Sequence, residues 1–233
     1  NKNKVKSYKL ALSCDPISAF GGIVGCNFKL NKSLALELKK IFLEVVIANG
    51  FEKDALRILK QKNNLRIIDA SKFGLKNFHS IVSNFGNFLI QNYDNADLSA
   101  KNFNIVSKKK PDKKTLNSLI FAFNMCRFVK SNAIVLVKDD TTVGIGSGQT
   151  SRLDSCKIAI QKMLKFQKKN INDKIVCASD AFFPFTDGIE KLVQAGVRAI
   201  IQPSGSIRDK EIINYADRTD TVLIFSKTRH FKH

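Results

Sequence analysis

Four segments of this 233-residue chain carry residue types better suited to chemistry than to core packing. The first is Ser18-Ala19-Phe20-Gly21-Gly22, where paired glycines beside an apolar run allow close backbone approach, to a ligand or to a neighbouring strand. From that feature alone, tight packing is the stronger reading. The second, Lys130-Ser131-Asn132-Ala133, sets donors and acceptors between apolar flanks. It suits a cleft lining and a helix C-terminal cap equally well, with Lys130 answering the helix dipole in the second case. The third runs from Gly144 through Gly146, Ser147, Gly148 and Gln149 to Arg152, after a predicted strand and into a predicted helix. Backbone N–H groups at such a place attract anions and glycines admit them, although the segment lacks the Lys-Ser/Thr ending of a P-loop and the Rossmann spacing. The fourth, Ala178 to Gly188, sets Asp180 and Asp187 on either side of a rigid turn, Phe182-Phe183-Pro184-Phe185. It follows a predicted strand at the end where open α/β sheets bind ligands. Its phenylalanines either wall a site for a flat heterocycle or plug the core while Asp187 caps a helix.

The elements that must position these segments read as an α/β series. Val5, Tyr8 and Leu12 mark a helix that Pro16 ends. Phe20 to Phe28 reads as a buried strand, and Asn31 as the cap of a helix through Leu34, Leu38 and Ile41. Val45 to Ala48 is a strand, Asp54 to Gln61 a helix, and Leu65 to Ile68 a strand. Residues 69–111 give only weak strand signals, around Phe85 to Ile90 and Phe103 to Val106. The polar stretch Ser107 to Lys114 is the best boundary. Asp112 then caps a strongly periodic helix through Phe128, and Ala133–Val137 with Thr141–Ile145 form a hairpin. A glycine-rich turn over Gly144 to Ser151 leads to a helix from Arg152 to Lys169. Strands follow at 174–178, 197–201 and 221–225. Between them lie a helix at 187–195, with an Asp187–Glu190 capping box and a Gly196 stop, and a second at 208–216 capped by Ser206. The expected organisation is a first lobe (1–111), a connecting helix and hairpin (112–151) and a second lobe (152–233), with mixed sheets.

Composition narrows the classes further. Lys and Arg exceed Asp and Glu by 39 − 20 = 19, a balance that raises nucleic acid as a partner. The lysines are nevertheless scattered, Trp is absent, and no basic stripe interleaves with aromatics, so no nucleic-acid partner is expected. No apolar run reaches the ~20 residues that span a bilayer, which points away from a membrane. Five widely spaced cysteines without a C-x-x-C and three histidines favour reduced thiols, no metal and a cytoplasmic setting. The chain opens on a polar Asn1 to Lys6 rather than on Met, so its start reads as cut.

Taken in order, the four segments resemble the signature segments of the AICAR transformylase family: S-x-F-G, K-S-N-A-I-V, G-I-G-S-G-Q-T-S-R and S-D-A-F-F-P-F-x-D-G. Gln202-Pro203-Ser204-Gly205-Ser206-Ile207-Arg208-Asp209 and the closing Arg229-His230-Phe231-Lys232-His233 extend the likeness over essentially the whole chain. The resemblance implies two cytidine-deaminase-like lobes without zinc chemistry. It also implies a cytoplasmic homodimer that transfers a formyl group from the co-substrate 10-formyltetrahydrofolate to AICAR, giving FAICAR. Carried over by position, Asn132 is implied to orient the reacting groups. Gly21, Glu44, Arg152, Phe182, Arg229 and His233 are implied to contact AICAR, and Asp187, Ser206 and Ile207 the reduced folate. No metal is implied, while some relatives suggest a monovalent cation near the C-terminus. Thr186 stands where relatives often carry Arg. The family's catalytic Lys-His pair belongs to a K-H-x-x-P-x-G segment expected upstream of Asn1, as does the separate IMP cyclohydrolase domain. The expectation is therefore a fragment inactive by itself; the other reading is a non-enzymatic remnant that binds a nucleotide or dimerises.

Overall fold

The computed structural model describes residues 2–74, 79–167 and 174–232. The chain is α/β and divides into two compact units, Asn1–Tyr93 and Asp94–His233. In the first unit, helix α1 (Lys4–Ser13), strand β1 (Gly22–Cys26), α2 (Lys32–Leu38), β2 (Leu43–Ala48), α3 (Lys53–Leu59) and β3 (Arg66–Asp69) alternate as expected. The Asn31 side chain accepts the Leu34 N–H at 3.1 Å, which starts α2. The three strands form a parallel sheet in the order β1-β2-β3. Leu34, Leu38, Ala55 and Leu59 of the helices pack with Val46 and Ala48 on one sheet face. The opposite face carries Ile23, 70% exposed, and Ile68, so β1 is half-buried rather than fully buried.

Strands β4 (His79–Asn84) and β5 (Asn87–Asn92) form a separate antiparallel hairpin, exposed along its whole length. Phe85, read from sequence as part of a strand, sits in its turn with φ +45° beside Gly86 at +80°.

The second unit holds a six-stranded mixed sheet made from β6 (Phe103–Ile105), β7 (Ile134–Lys138), β8 (Thr141–Gly146), β9 (Ile175–Ser179), β10 (Val197–Pro203) and β11 (Val222–Ser226). Their order is β6-β11-β10-β9-β7-β8. Strands β9, β10 and β11 run parallel, whereas β7 is antiparallel to β8 and β9, and β6 to β11. Period-two alternation sends Ile134, Leu136, Cys177, Ile200 and Leu223 to one face, against α5 (Arg152–Phe166), α6 (Asp187–Gln194) and α7 (Asp209–Arg218). Val135, Val137, Ala178, Ile201 and Ile224 point to the other, against α4 (Lys113–Cys126). Helices therefore cover both faces, which is why these strands read as continuous apolar runs.

Several expectations change. The division falls after Tyr93 rather than in the polar stretch 107–114, because β6 hydrogen-bonds to β11 and joins the second unit's sheet. The helix and hairpin over 112–151 are likewise part of that sandwich rather than a connector: β7 pairs with β9, and α4 packs on the sheet. Gly144 and Gly146 lie inside β8 rather than in a turn. A Cβ at Gly146 would meet the Ser155 carbonyl oxygen at 1.9 Å, and one at Gly144 the Ala159 oxygen at 2.2 Å, so both glycines let α5 lie against the strand. The Asp187–Glu190 capping box does not form. Thr186 precedes α6 in a helical conformation, and its hydroxyl bonds Glu190 at 2.7 Å while Asp187 accepts from Gly188 N–H. Nor does the Ser206 side chain cap α7: it accepts the Arg208 N–H at 3.2 Å, and Asp209 takes the N–H groups of Gly205 and Ser206.

Candidate functional site

Because β9, β10 and β11 are parallel, their C-terminal ends share one sheet edge. The register Ile134↔Ser179 and Ile134↔Gly146 brings the start of β7 and the end of β8 to the same edge. Asn132, the turn 147–151, the N-terminus of α5, the aromatic turn after β9, the loop after β10 and the tail after β11 therefore all meet there. Open α/β sheets commonly bind ligands outside this end, which makes it the candidate site.

Arg152 organises the edge. Ser151 caps α5 through the Asp154 N–H at 3.4 Å and so fixes where Arg152 starts. The Arg152 side chain is 11% exposed. Its Nε donates to Ser179 Oγ at 3.0 Å and its Nη1 to the Phe182 carbonyl at 3.0 Å. Its Nη2 donates to Asn132 Oδ1 at 2.8 Å and to Asp180 Oδ1 at 2.9 Å. Asp180 is fully buried, and its second oxygen accepts from Ser131 Oγ at 2.5 Å. A buried guanidinium thus holds three chain segments in one charge-assisted network. Asn132 is locked from both ends: Arg152 takes its oxygen, and its amide donates to the Gln149 and Thr150 carbonyls at 2.9 and 3.1 Å. The segment 130–133 is thereby a junction rather than a simple helix cap.

The tail closes the site. Ser131 N–H donates to the Lys232 carbonyl at 2.9 Å and Lys232 N–H to Ser131 Oγ at 3.1 Å. His230 N–H donates to the Asp180 carbonyl at 3.1 Å. Arg229 is exposed, its guanidinium carbon 5.2 Å from the centroid of the half-buried Phe182 ring. Among the described residues, no hydrogen bond or ion pair engages that guanidinium. Gly205, at φ +114°, turns the loop after β10 past the Arg229 side chain. Arg208 stacks over Phe185 at 4.8 Å and ties the loop holding Ser206 and Ile207 to the aromatic turn preceding Asp187. Asp187 and Ile207 are exposed and Ser206 half-buried.

Of the residues singled out from sequence, Asn132, Arg152, Phe182 and Arg229 come together at this edge, with Asp187 opening α6 and Ser206 and Ile207 on the loop after β10. Gly21 and Glu44 belong to the first unit. There Gly21 N–H donates to the Phe42 carbonyl at 3.0 Å, and Glu44 pairs with Arg66 at 2.8 Å. His233 lies outside the described residues. Asp94 was missed, Ser131 figured only among the donors and acceptors of its segment, and Ser179 and His230 lay inside quoted segments without a role. Asp180 was noticed only as one of two carboxylates flanking the aromatic turn, and no sequence spacing links Asp94 to His230. Burial pushes the Cys126 thiol, which faces Asp180, well above its usual range. Among the described residues no group of three or more His, Cys, Asp or Glu could hold a metal, and no helix is long and apolar enough to cross a membrane.

Comparison with known proteins bears directly on this edge. Residues 1–162 match the sequence model of the AICARFT/IMPCHase bienzyme family. The bifunctional purine biosynthesis protein PurH of Rhodospirillum rubrum is 44% identical over 240 residues, which cover 98% of this chain and 45% of that protein. The proteins of the same description from Buchnera aphidicola subsp. Schizaphis graminum and Caldicellulosiruptor bescii are each 46% identical, over 98% and 100% of this chain and 44% of their own lengths. The chain spans less than half the length of these curated relatives. With a family match over more than half its residues and relatives aligned along nearly all of it, the chain belongs to the AICARFT/IMPCHase bienzyme family.

Proposed function

We propose that this chain supplies nucleotide- and folate-facing surfaces of an AICAR transformylase acting in purine biosynthesis. In that reaction the 5-amino nitrogen of AICAR attacks the formyl carbon of 10-formyltetrahydrofolate. The bond from that carbon to N10 breaks, the amine loses a proton and N10 gains one, leaving FAICAR and tetrahydrofolate. The amine is a poor nucleophile because its lone pair delocalises into the ring, so holding the two flat substrates in register supplies much of the rate. The observation that carries the reading is the exposed Arg229 guanidinium over Phe182, which no hydrogen bond or ion pair among the described residues engages, beside the buried Arg152–Asp180–Asn132 network.

Arg229 binds the nucleotide phosphate by a charge-assisted, bidentate contact, and Phe182 offers its ring to the flat base. Asn132, held by Arg152, orients the reacting groups. Gly21, Glu44 and His233 add AICAR contacts, while Asp187, Ser206 and Ile207 meet the folate. No K-H-x-x-P-x-G segment occurs in residues 1–233, and proton removal is assigned to such a segment of the family. Ile81, Phe85, Phe88, Leu89 and Ile90 leave the β4–β5 hairpin apolar and exposed, which supports a homodimer in which a second copy covers it. Titration calorimetry with AICAR tests the phosphate role. Arg229→Lys weakens binding by about 1.5–3 kcal/mol and changes folate binding far less; an unchanged AICAR affinity removes Arg229 from the site. Formyl transfer, followed by tetrahydrofolate absorbance, tests the chemistry. Turnover by residues 1–233 alone would put the base among them, with His233 the first suspect.

A further inference from the structure

His230 is the residue after Arg229, and its surroundings are the reverse of its neighbour's. Its side chain is 0% exposed, and its ring centroid lies 4.3 Å from that of Phe123 on α4. Nδ1 lies 2.6 Å from Asp94 Oδ2, and the backbone N–H is bonded to the Asp180 carbonyl. Among the described residues no donor or acceptor reaches Nε2. These contacts define the tautomer: Nδ1 carries the proton and donates to the Asp94 carboxylate, and Nε2 is bare. A second proton would place a buried N–H at Nε2 with nothing to receive it, which is costly. One residue thus pins the tail to α4, to the Asp94 segment and to the end of β9, immediately beyond the side chain that sits over Phe182.

We infer that His230 is a positioning residue for Arg229: the Asp94–His230 contact holds the tail so that the guanidinium stands over Phe182, poised for a phosphate. The inference rests on the transformylase reading and deepens its phosphate subsite. It also makes that subsite sensitive to acid. The charged and titratable groups facing His230 are Asp94 from the segment before β6, Arg127 from the end of α4 and Asp180 from the end of β9. Arg152 and Cys126 stand beside Asp180. Burial, opposed by the hydrogen bond to Asp94, holds His230 below the usual histidine range. The docked tail therefore requires the neutral ring. Docking is complete at and above neutral pH and is lost as pH falls through the depressed pKa.

The test compares AICAR with its riboside, which lacks the phosphate, by titration calorimetry across pH 5 to 8; the readout is the ratio of the two affinities. His230→Leu keeps the apolar contact with Phe123 but removes the donor, and the ratio falls about tenfold at pH 7.5. His230→Asn places an amide donor where Nδ1 stood, retains most of the ratio and flattens its acid decline. Asp94→Asn deepens that decline, because the carboxylate that favours ring protonation in the docked tail is gone. In an Arg229→Lys background, His230→Leu causes little further loss. A wild-type ratio in His230→Leu overturns the inference, as does an equal loss with and without Arg229. Should His230→Leu fail to fold, an acid decline unchanged by both His230→Asn and Asp94→Asn overturns it instead. A wild-type chain that binds riboside and ribonucleotide equally refutes the phosphate subsite itself, and with it both readings.

Discussion

Replacing Asp180 with Ala gives the sharpest test of the network that shapes the site. The carboxylate is fully buried, and its partner Arg152 is 11% exposed, so solvent screens the pair little. Without it, Arg152 keeps three neutral acceptors, Asn132 Oδ1, Ser179 Oγ and the Phe182 carbonyl, around an uncompensated charge. Ser131 loses its acceptor as well. Removing one partner of a buried pair costs about 3–5 kcal/mol. At about 2–4 °C per kcal/mol for a chain of this size, the melting temperature should fall by roughly 6–20 °C. Thermal unfolding followed by far-ultraviolet circular dichroism reads it directly. The double variant Arg152→Met/Asp180→Leu should recover more than half of the loss, because the stranded charge leaves with its partner. A single variant melting within about 2 °C of wild type, or a double variant no better than the single, would refute the claim that charge pairing holds this edge together.

Two further outcomes follow from packing. Gly146→Ala pushes a methyl into the Ser155 carbonyl of α5, and an overpacked core loses about 1–3 kcal/mol or more; wild-type stability in urea unfolding would mean that α5 does not lie against β8 as described. Burial pushes the Cys156 thiol up to about 12 and those of Cys126 and Cys177 well above their usual value. Because the thiolate is the reactive form, these three should resist Ellman's reagent at pH 8 in the native chain, with all five cysteines reacting in denaturant. Fast native labelling of Cys156 would contradict its burial.

Much of the architecture was legible because local and tertiary signals agreed. Asn31 and Asp112 lie at helix starts and do accept backbone N–H groups there. The strands of the second unit read as apolar runs because helices cover both faces of their sheet. The β4–β5 hairpin was blurred because both its strands are exposed on both faces, so no period-two pattern marks a buried side. The Asp187–Glu190 spacing suggested a capping box, but Thr186 took Glu190 first. In the site, Asn132, Arg152, Phe182 and Arg229 were reachable through resemblance. Asp94 was not, because its role depends on contact with His230 across 136 residues of sequence.

The sheet order also fixes when the second unit can be completed during synthesis. Among the described residues, strand β6 pairs with β11 alone, the last of the described strands in chain order. Ser107, just beyond β6, meets Leu223 across 116 residues. As the ribosome extends the chain, β6 waits without its hydrogen-bonding partner while α4 and four intervening strands emerge. Only the arrival of β11 joins β6 to the strands already assembled, and the tail bearing Arg229 follows it. Closing such long loops is slow and leaves unpaired strand edges exposed meanwhile. The sheet of the second unit is therefore closed by its most sequence-distant pairing, and the segment carrying Arg229 follows the strand that makes it.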